Sequence, residues 1–392
     1  MNRNEVSEIF AIPRQRISLE ADLRMFWSWV KYTGFHPDLL MISVEQSRPR
    51  GMVRYIYSLF ALLLITAFCI YQWVELVIQC RRMVNLAEVV LNMTLAEGFL
   101  CVLAMEYQMW SHRSGILQLF HDWKQVEMQS PSINLAEIKR FFNGLKYFTV
   151  LHTSIYFPMG FVWVFMDYQQ SFFFTHYSVV RETFGLVFPC TVIVFIFYWV
   201  SLALIISILI PAIFFNHVTF VVENFAEEWD SKLRSAKYLR MIWQKYEKIL
   251  HLVNRANTHF GTIILIIYFN FLFTICLMIF YAEEMYRNFD TVFVVIACSV
   301  VMELTFLFAT NWIFSRILFS PNKLQKLVAD ELSQKWNQLD EAERHLFVSF
   351  LARLEKGDMA VCPMNLFTIC PSNLLTILAV IINYFIVLAQ SV

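Results

Sequence analysis

The stretch ICPSNLLTILAVIINYFIVLAQ, residues 369–390, decides the fold of this chain. From Leu374 to Leu388 it carries no charged residue, and with its flanks it is long enough to cross the hydrocarbon core of a bilayer. Polar side chains at that depth need protein or water beside them. The polar residues that interrupt the stretch are Ser372, Asn373, Thr376, Asn383, Tyr384 and Gln390. The stretch therefore predicts a membrane helix with one face that avoids lipid.

Helical spacing places polar and small residues of this stretch on one face. Counting back from Gln390 gives Ile386, Asn383, Ala379 and Thr376. Such a stripe fits the wall of a pore. It fits equally a contact between helices, in which Asn383 and Gln390 form hydrogen bonds and the small Ala379 allows close approach. The residues alone do not choose between these two interpretations.

The composition identifies a membrane protein with several spans. The chain has 392 residues, of which 58% are hydrophobic and only 16% are charged, whereas soluble domains average about 25% charged. The net charge is zero, so nothing indicates binding to nucleic acid. The lipid bilayer is the partner that the composition predicts.

Apolar runs of membrane length recur along the whole chain and predict an all-α membrane protein with seven transmembrane helices. The seven predicted spans are 55–78, 86–109, 145–166, 186–215, 260–281, 291–313 and 370–390. The segments that follow are 1–54 (N-terminal), 55–215 (spans one to four, with a loop at 110–144), 216–259 (amphipathic helix), 260–313 (spans five and six), 314–369 (a second helical region) and 370–392 (the last span).

Lysine and arginine placement predicts the orientation of these spans. Residues 1–54, 110–146, 216–259 and 314–369 together hold 27 of the 31 Lys and Arg residues. Cytoplasmic loops retain positive charge during insertion, so these segments are expected in the cytosol. With seven spans the N-terminus is then cytosolic and the C-terminus extracellular, which is the inverse of a G-protein-coupled receptor.

Two amphipathic helices are predicted on the cytosolic side. In the first, from Glu227 to Phe260, the apolar positions are Leu239, Ile242, Tyr246, Ile249 and Val253. In the second, within 323–350, they are Leu324, Leu327, Val328, Leu332 and Trp336. Such helices do not bury an apolar face alone, so they either pack together below the membrane or lie on lipid headgroups.

No sequence motif supports an enzyme. The chain has no Walker loop, GxGxxG, HExxH or GxSxG motif and no clustered metal ligands, so no cofactor and no metal are predicted. His121 adjoins Asp122, with His112 a little upstream, and we interpret His121 and Asp122 as a solvated surface pair.

A small organic ligand would find aromatic and polar groups in the outer halves of the spans. Tyr156, Trp163, Asp167 and Tyr168 are the candidates on span three, although Trp and Tyr also favour any membrane interface. Glu303 lies midway along span six, where a carboxylate must be paired, protonated or wet.

The last span resembles that of the insect chemoreceptor superfamily, and in particular of gustatory receptors. That family ends in Thr-Tyr, five apolar residues and Gln-Phe. The corresponding positions here are Asn383, Tyr384, FIVLA, Gln390 and Ser391. The Tyr and Gln therefore match at the right spacing, whereas the Thr and the Phe do not.

Two further elements extend the resemblance to other parts of the chain. LFTICPSNLLTIL, from Leu366, is similar to the family's approach to the last span, and LVNRANTHFG, Leu252–Gly261, resembles the element that precedes span five.

The resemblance implies a ligand-gated, non-selective cation channel in the plasma membrane of sensory neurons. It implies a tetramer of like or unlike subunits around a central pore, a cytosolic helical anchor at 314–369, and a pocket for a small-molecule tastant in each outer half. The last span would line the pore, with Gln390 near its outer mouth. Ser391 stands where the family places a gating Phe, so the hydrophobic gate is expected at Leu388 or Ile386, or gating differs.

Other classes fit the sequence less well. An odorant receptor subunit, which works with a co-receptor, shares the architecture but usually lacks the Tyr-to-Gln spacing. A G-protein-coupled receptor needs the opposite orientation. A transporter would be expected to show inverted repeats, and the two halves of this chain show none that convinces.

Overall fold

The computed structural model of the chain describes residues 48–82, 86–129, 144, 147, 187–231, 236–287 and 292–390. Every regular element within these residues is helical. The helices are α1 Arg48–Arg82, α2 Leu86–Ser111, α3 Arg113–Gln129, α4 Val187–Ser231, α5 Ala236–Arg287, α6 Val292–Phe319, α7 Asn322–Lys335, α8 Glu341–Glu355 and α9 Pro371–Gln390, with a 3₁₀ turn at Pro363–Asn365.

Among the described residues, three stretches are long and apolar enough to cross a membrane: Ala203–Trp229 in α4, Ala236–Glu283 in α5 and Ile296–Lys335 across α6 and α7. Shorter apolar helices occur at Leu62–Ile78 in α1 and Pro371–Val387 in α9. The predicted span at 145–166 lies outside the described residues.

Helix α5 packs against most of the other described helices. Over 52 residues it contacts α2, α3, α4, α6, α8, α9 and the segment before α9. The apolar positions predicted for its first half are fully buried: Leu239, Ile242, Tyr246, Ile249 and Val253. Helical periodicity therefore identified the core face of this element correctly.

The segment 216–259 is divided between two helices. Helix α4 continues to Ser231, and α5 begins at Ala236. The extension of α4 follows from burial, because Asn216, His217 and Trp229 are all enclosed by protein. The amphipathic pattern begins only with α5.

The region predicted as one helix within 323–350 consists of α7 and α8, which pack on each other. Asp340 separates them: its side chain accepts a hydrogen bond from the Glu343 backbone N–H at 2.7 Å, which starts α8 with a capping box. Leu324, Val328 and Leu332 are buried as expected. Trp336 is exposed because it follows the end of α7, where its ring stacks on Arg344.

We call the end of the molecule formed by α3, α7, α8 and residues 236–259 of α5 the base. Helix α7 packs against α4, and α8 packs against α5. Both apolar faces are thereby covered by protein. Of the two interpretations of the amphipathic helices, the structure shows packing against other helices of the chain.

Candidate functional site

Within the described part of the chain, helix α9 packs against its neighbours along one face. Leu374, Ile377 and Ile381 lie at helical spacing and join the core formed with α5 and α6. Tyr384 continues this face and is half-buried. The remainder of the helix surface is exposed on the single chain.

The predicted stripe lies on the opposite side of α9. Thr376, Ala379, Asn383, Ile386 and Gln390 are all exposed. Among the described residues, the amides of Asn383 and Gln390 therefore do not join α9 to other helices of the same chain. Leu388 and Ser391 are the remaining predicted residues, and their side chains lie outside the part of the chain that is described.

The segment leading into α9, residues 356–370, is held by two residues of α5, and we call it the connector. The Asn257 side chain donates to the Ala360 carbonyl at 2.8 Å and accepts from the Cys362 backbone N–H at 3.1 Å. Gly261, one turn later, lies so close that a Cβ there would come within 2.8 Å of the Met364 nitrogen. These contacts explain physically why both residues belong to the LVNRANTHFG element.

A polar chain joins α5 and α6 to the start of α9. The Tyr268 hydroxyl donates to Asn311 Oδ1 at 2.9 Å, and Asn311 Nδ2 lies 3.5 Å from the Cys370 carbonyl oxygen. The backbone N–H of Cys370 donates to Asn373 Oδ1 at 2.9 Å, which satisfies a donor before the first turn of α9. The beginning of the last helix is thus fixed to two neighbouring helices.

Among the predicted ligand-binding residues, Glu303 is the one that the structure describes. It is half-buried on α6 and lies within electrostatic range of Glu97 on α2. Glu97 is buried and accepts hydrogen bonds from the Cys101 thiol at 2.9 Å and the Thr274 hydroxyl at 3.3 Å. The structure therefore brings Glu97 of α2 and Thr274 of α5 into contact and places Glu303 of α6 near them.

Nothing in the sequence indicated the contact between Glu97 and Thr274, because the two residues lie 177 positions apart. Tyr156, Trp163, Asp167 and Tyr168 lie outside the described residues.

The base is held by an ion-pair network around Arg353 of α8. Its guanidinium donates to Glu247 of α5, with Nε 2.7 Å from Oε1, and also pairs with Asp358 in the connector. Trp243 Nε1 donates to the same Glu247 carboxylate at 3.2 Å. The hydrogen bond from Arg353 holds the pKa of Glu247 below its ordinary value of 4.5. This network links α5, α8 and the connector.

His112, His121 and Asp122 form more specific contacts than the sequence suggested. Asp122 forms an ion pair with Arg255 of α5, and His121 contacts Gln125 on its own helix. His112, at the joint between α2 and α3, faces His259 of α5. The predicted solvated pair is therefore wrong for Asp122, which is half-buried and contacts α5, whereas His121 is exposed as expected. Within the described residues, no group of three or more His, Cys, Asp or Glu side chains is arranged to hold a metal.

The comparisons with known proteins identify the family. The family described as "7tm Chemosensory receptor" matches residues 39–392. The chain belongs to this family. It is therefore a receptor of the insect chemosensory type and not an enzyme. No curated protein sequence matches the chain significantly.

Solved structures show the same fold as this chemosensory receptor. The insect olfactory receptor OR5 from Machilis hrabei matches with a TM-score of 0.62 and 15% identity, over 95% of this chain and 100% of OR5. The same receptor in complex with eugenol matches with a TM-score of 0.65, the same identity and the same coverage. The predicted all-α membrane fold is confirmed.

Proposed function

We propose that this receptor is a subunit of a tetrameric, ligand-gated, non-selective cation channel of the gustatory type. The observation that carries the proposal is the position of the stripe on α9. Asn383 and Gln390 are exposed on the side opposite the packed face, and such amides are costly against lipid. Four copies of the stripe around an axis give a hydrated path, and without a ring of charge the selectivity is low.

The orientation follows from the basic residues of the base. Lys and Arg are concentrated in the segments that include α3, α7 and α8, which supports a cytosolic base and N-terminus with α9 ending outside. Epitope tags at the two ends of the chain test this arrangement in intact and permeabilised cells. An N-terminal tag accessible on intact cells contradicts it.

The ligand is proposed to be a small organic tastant bound in the outer half of the bundle. Tyr156, Trp163, Asp167 and Tyr168 on the third span and Glu303 on α6 are the proposed contacts. The carboxyl groups of Glu303 and Glu97 would provide polar contacts in such a site. Ligand binding opens the pore only if the ligand binds the open channel more tightly than the closed channel. Each tenfold difference between these two affinities shifts the equilibrium by about 1.4 kcal/mol.

The decisive experiment is electrical recording across the plasma membrane of cells that express this chain alone. A panel of tastants is applied with G-protein signalling blocked in the recording pipette. Current under these conditions supports the channel. Current that requires an added olfactory co-receptor supports the alternative, an odorant receptor subunit of the same architecture.

The stripe itself is tested by substitution of Gln390. We expect Gln390→Ala to change conductance or ion preference while surface expression stays normal. The control is Tyr384→Phe, because Tyr384 lies on the half-buried side of the same helix and its substitution should leave permeation unchanged. Identical conductance and ion preference in the two variants remove Gln390 from the pore.

A further inference from the structure

His112 and His259 face each other with their Nδ1 atoms 3.4 Å apart. This separation is longer than an ordinary hydrogen bond, for which about 2.7–3.2 Å is usual. The ring centroids are 5.5 Å apart and the planes are tilted by 57°, so the rings do not stack. The pair connects the α2–α3 joint to α5.

The separation matches that of two ligands on one metal ion. Imidazole nitrogens bind Zn²⁺ at about 2.0–2.1 Å, and two of them in tetrahedral geometry are about 3.3 Å apart. We propose that His112 and His259 form a binding site for a divalent transition-metal cation of the Zn²⁺ or Cu²⁺ class. Imidazole suits these metals, whereas Mg²⁺ and Ca²⁺ prefer oxygen ligands.

Both histidines are half-buried, so the pair is partly shielded from solvent. Neutral imidazole is the form that binds a metal. Arg255 is paired with Asp122, which offsets its repulsion of a cation.

Gly115 provides the room for the ring of His259. A Cβ at Gly115 would overlap the His259 imidazole, including a distance of 2.9 Å to Nδ1. The ring of His259 therefore occupies the space that a side chain at position 115 would fill. Since the described residues offer no group of three or more metal ligands, water completes the coordination.

The site lies next to the residues of α5 that hold the connector. His259 is two residues after Asn257 and two before Gly261, the residues of α5 that hold the connector. A cation that joins His259 to the α2–α3 joint therefore restrains the part of α5 that supports the start of α9.

Binding is tested with the purified full-length protein in detergent. Cu²⁺ is titrated and its coordination followed by electron paramagnetic resonance, in which two imidazole nitrogens give a distinct signature; Zn²⁺ affinity follows from competition. We expect His112→Gln and His259→Gln each to weaken binding at least tenfold. The matched controls are His121→Gln and His251→Gln, because both are exposed histidines on the same helices.

Several results would overturn the proposal. Equal affinity in all four variants assigns the metal to other groups, and loss in only one of the two paired variants shows a single imidazole and no bridge. If either paired variant does not fold, Gly115→Ala tests the same space, and unchanged affinity in that variant contradicts the site. Metal binding by the purified protein does not depend on ion conduction, so failure of the proposed channel leaves this test intact.

Discussion

Replacement of Asn257 by alanine should release the connector from α5. The change removes the hydrogen bonds to the Ala360 carbonyl and the Cys362 N–H. A typical intramolecular hydrogen bond contributes about 1 kcal/mol net, so the two contribute about 2 kcal/mol. Asn257 is half-buried, so water replaces part of the loss. We therefore expect the ratio of docked to undocked connector to fall by about 10-fold to 30-fold.

Two assays report this loss in Asn257→Ala. The melting temperature of the detergent-solubilised protein should fall by a few degrees, since about 1 kcal/mol corresponds to roughly 2–4 °C in a domain of 150–250 residues. The concentration of ligand needed for half-maximal current should also change, because the connector leads directly into α9.

Asn254→Ala is the control for this experiment. Asn254 lies one turn earlier on α5, and its side chain is exposed. Its backbone carbonyl accepts the Thr258 hydroxyl, and this bond is unaffected by the side chain. If Asn257→Ala and Asn254→Ala behave alike in both assays, the connector is not held by Asn257.

Two further substitutions, Gly261→Ala and Tyr268→Phe, test other supports of the last helix, and Gly98→Ala is the control for the first of them. Gly261→Ala places a Cβ 2.8 Å from a connector backbone nitrogen and should destabilise the protein by about 1–3 kcal/mol. Gly98→Ala meets nothing within 4 Å and should be neutral or stabilising by up to about 1 kcal/mol in thermal melts. Tyr268→Phe removes the hydroxyl that donates to α6 and should alter ligand-evoked gating; currents equal to wild type would exclude a role for this bond.

Arg353 lowers the pKa of Glu247 from its ordinary value of 4.5. The ionised Glu247 carboxylate therefore stabilises the fold above pH 4.5, and this stabilisation is lost as the pH falls through the lowered pKa. Glu247→Gln should therefore show a smaller drop in melting temperature between pH 7 and about pH 3 than the wild type does.

Periodicity made the base and the last helix predictable. The buried face of α5 recurs at helical spacing, so Leu239, Ile242 and Tyr246 could be assigned to the core from the sequence alone. The same reasoning placed Asn383 and Gln390 on one face of α9, and the structure shows that face exposed. Local patterns suffice where a single helix determines the answer.

Long-range pairings were beyond the sequence. Thr274 reaches Glu97 across 177 positions, and no local pattern indicates such a contact. The connector was equally hidden, because its path depends on left-handed backbone at Met364 and Asn365, with φ of 49° and 58°. Methionine gives no sign of that conformation, which Gly adopts far more readily.

The continuity of α5 restricts how the length of this chain can change. Its 52 residues form a rod about 78 Å long, with no loop between Asn257 and Thr274 to absorb an insertion. One residue added or removed between them would rotate one half against the other by about 100°. Either the connector or the carboxylate of Glu97 would then lose its partner. Gaps in the sequences of related receptors should therefore fall outside this helix, and a reporter domain is better inserted before Ala236 than anywhere within it.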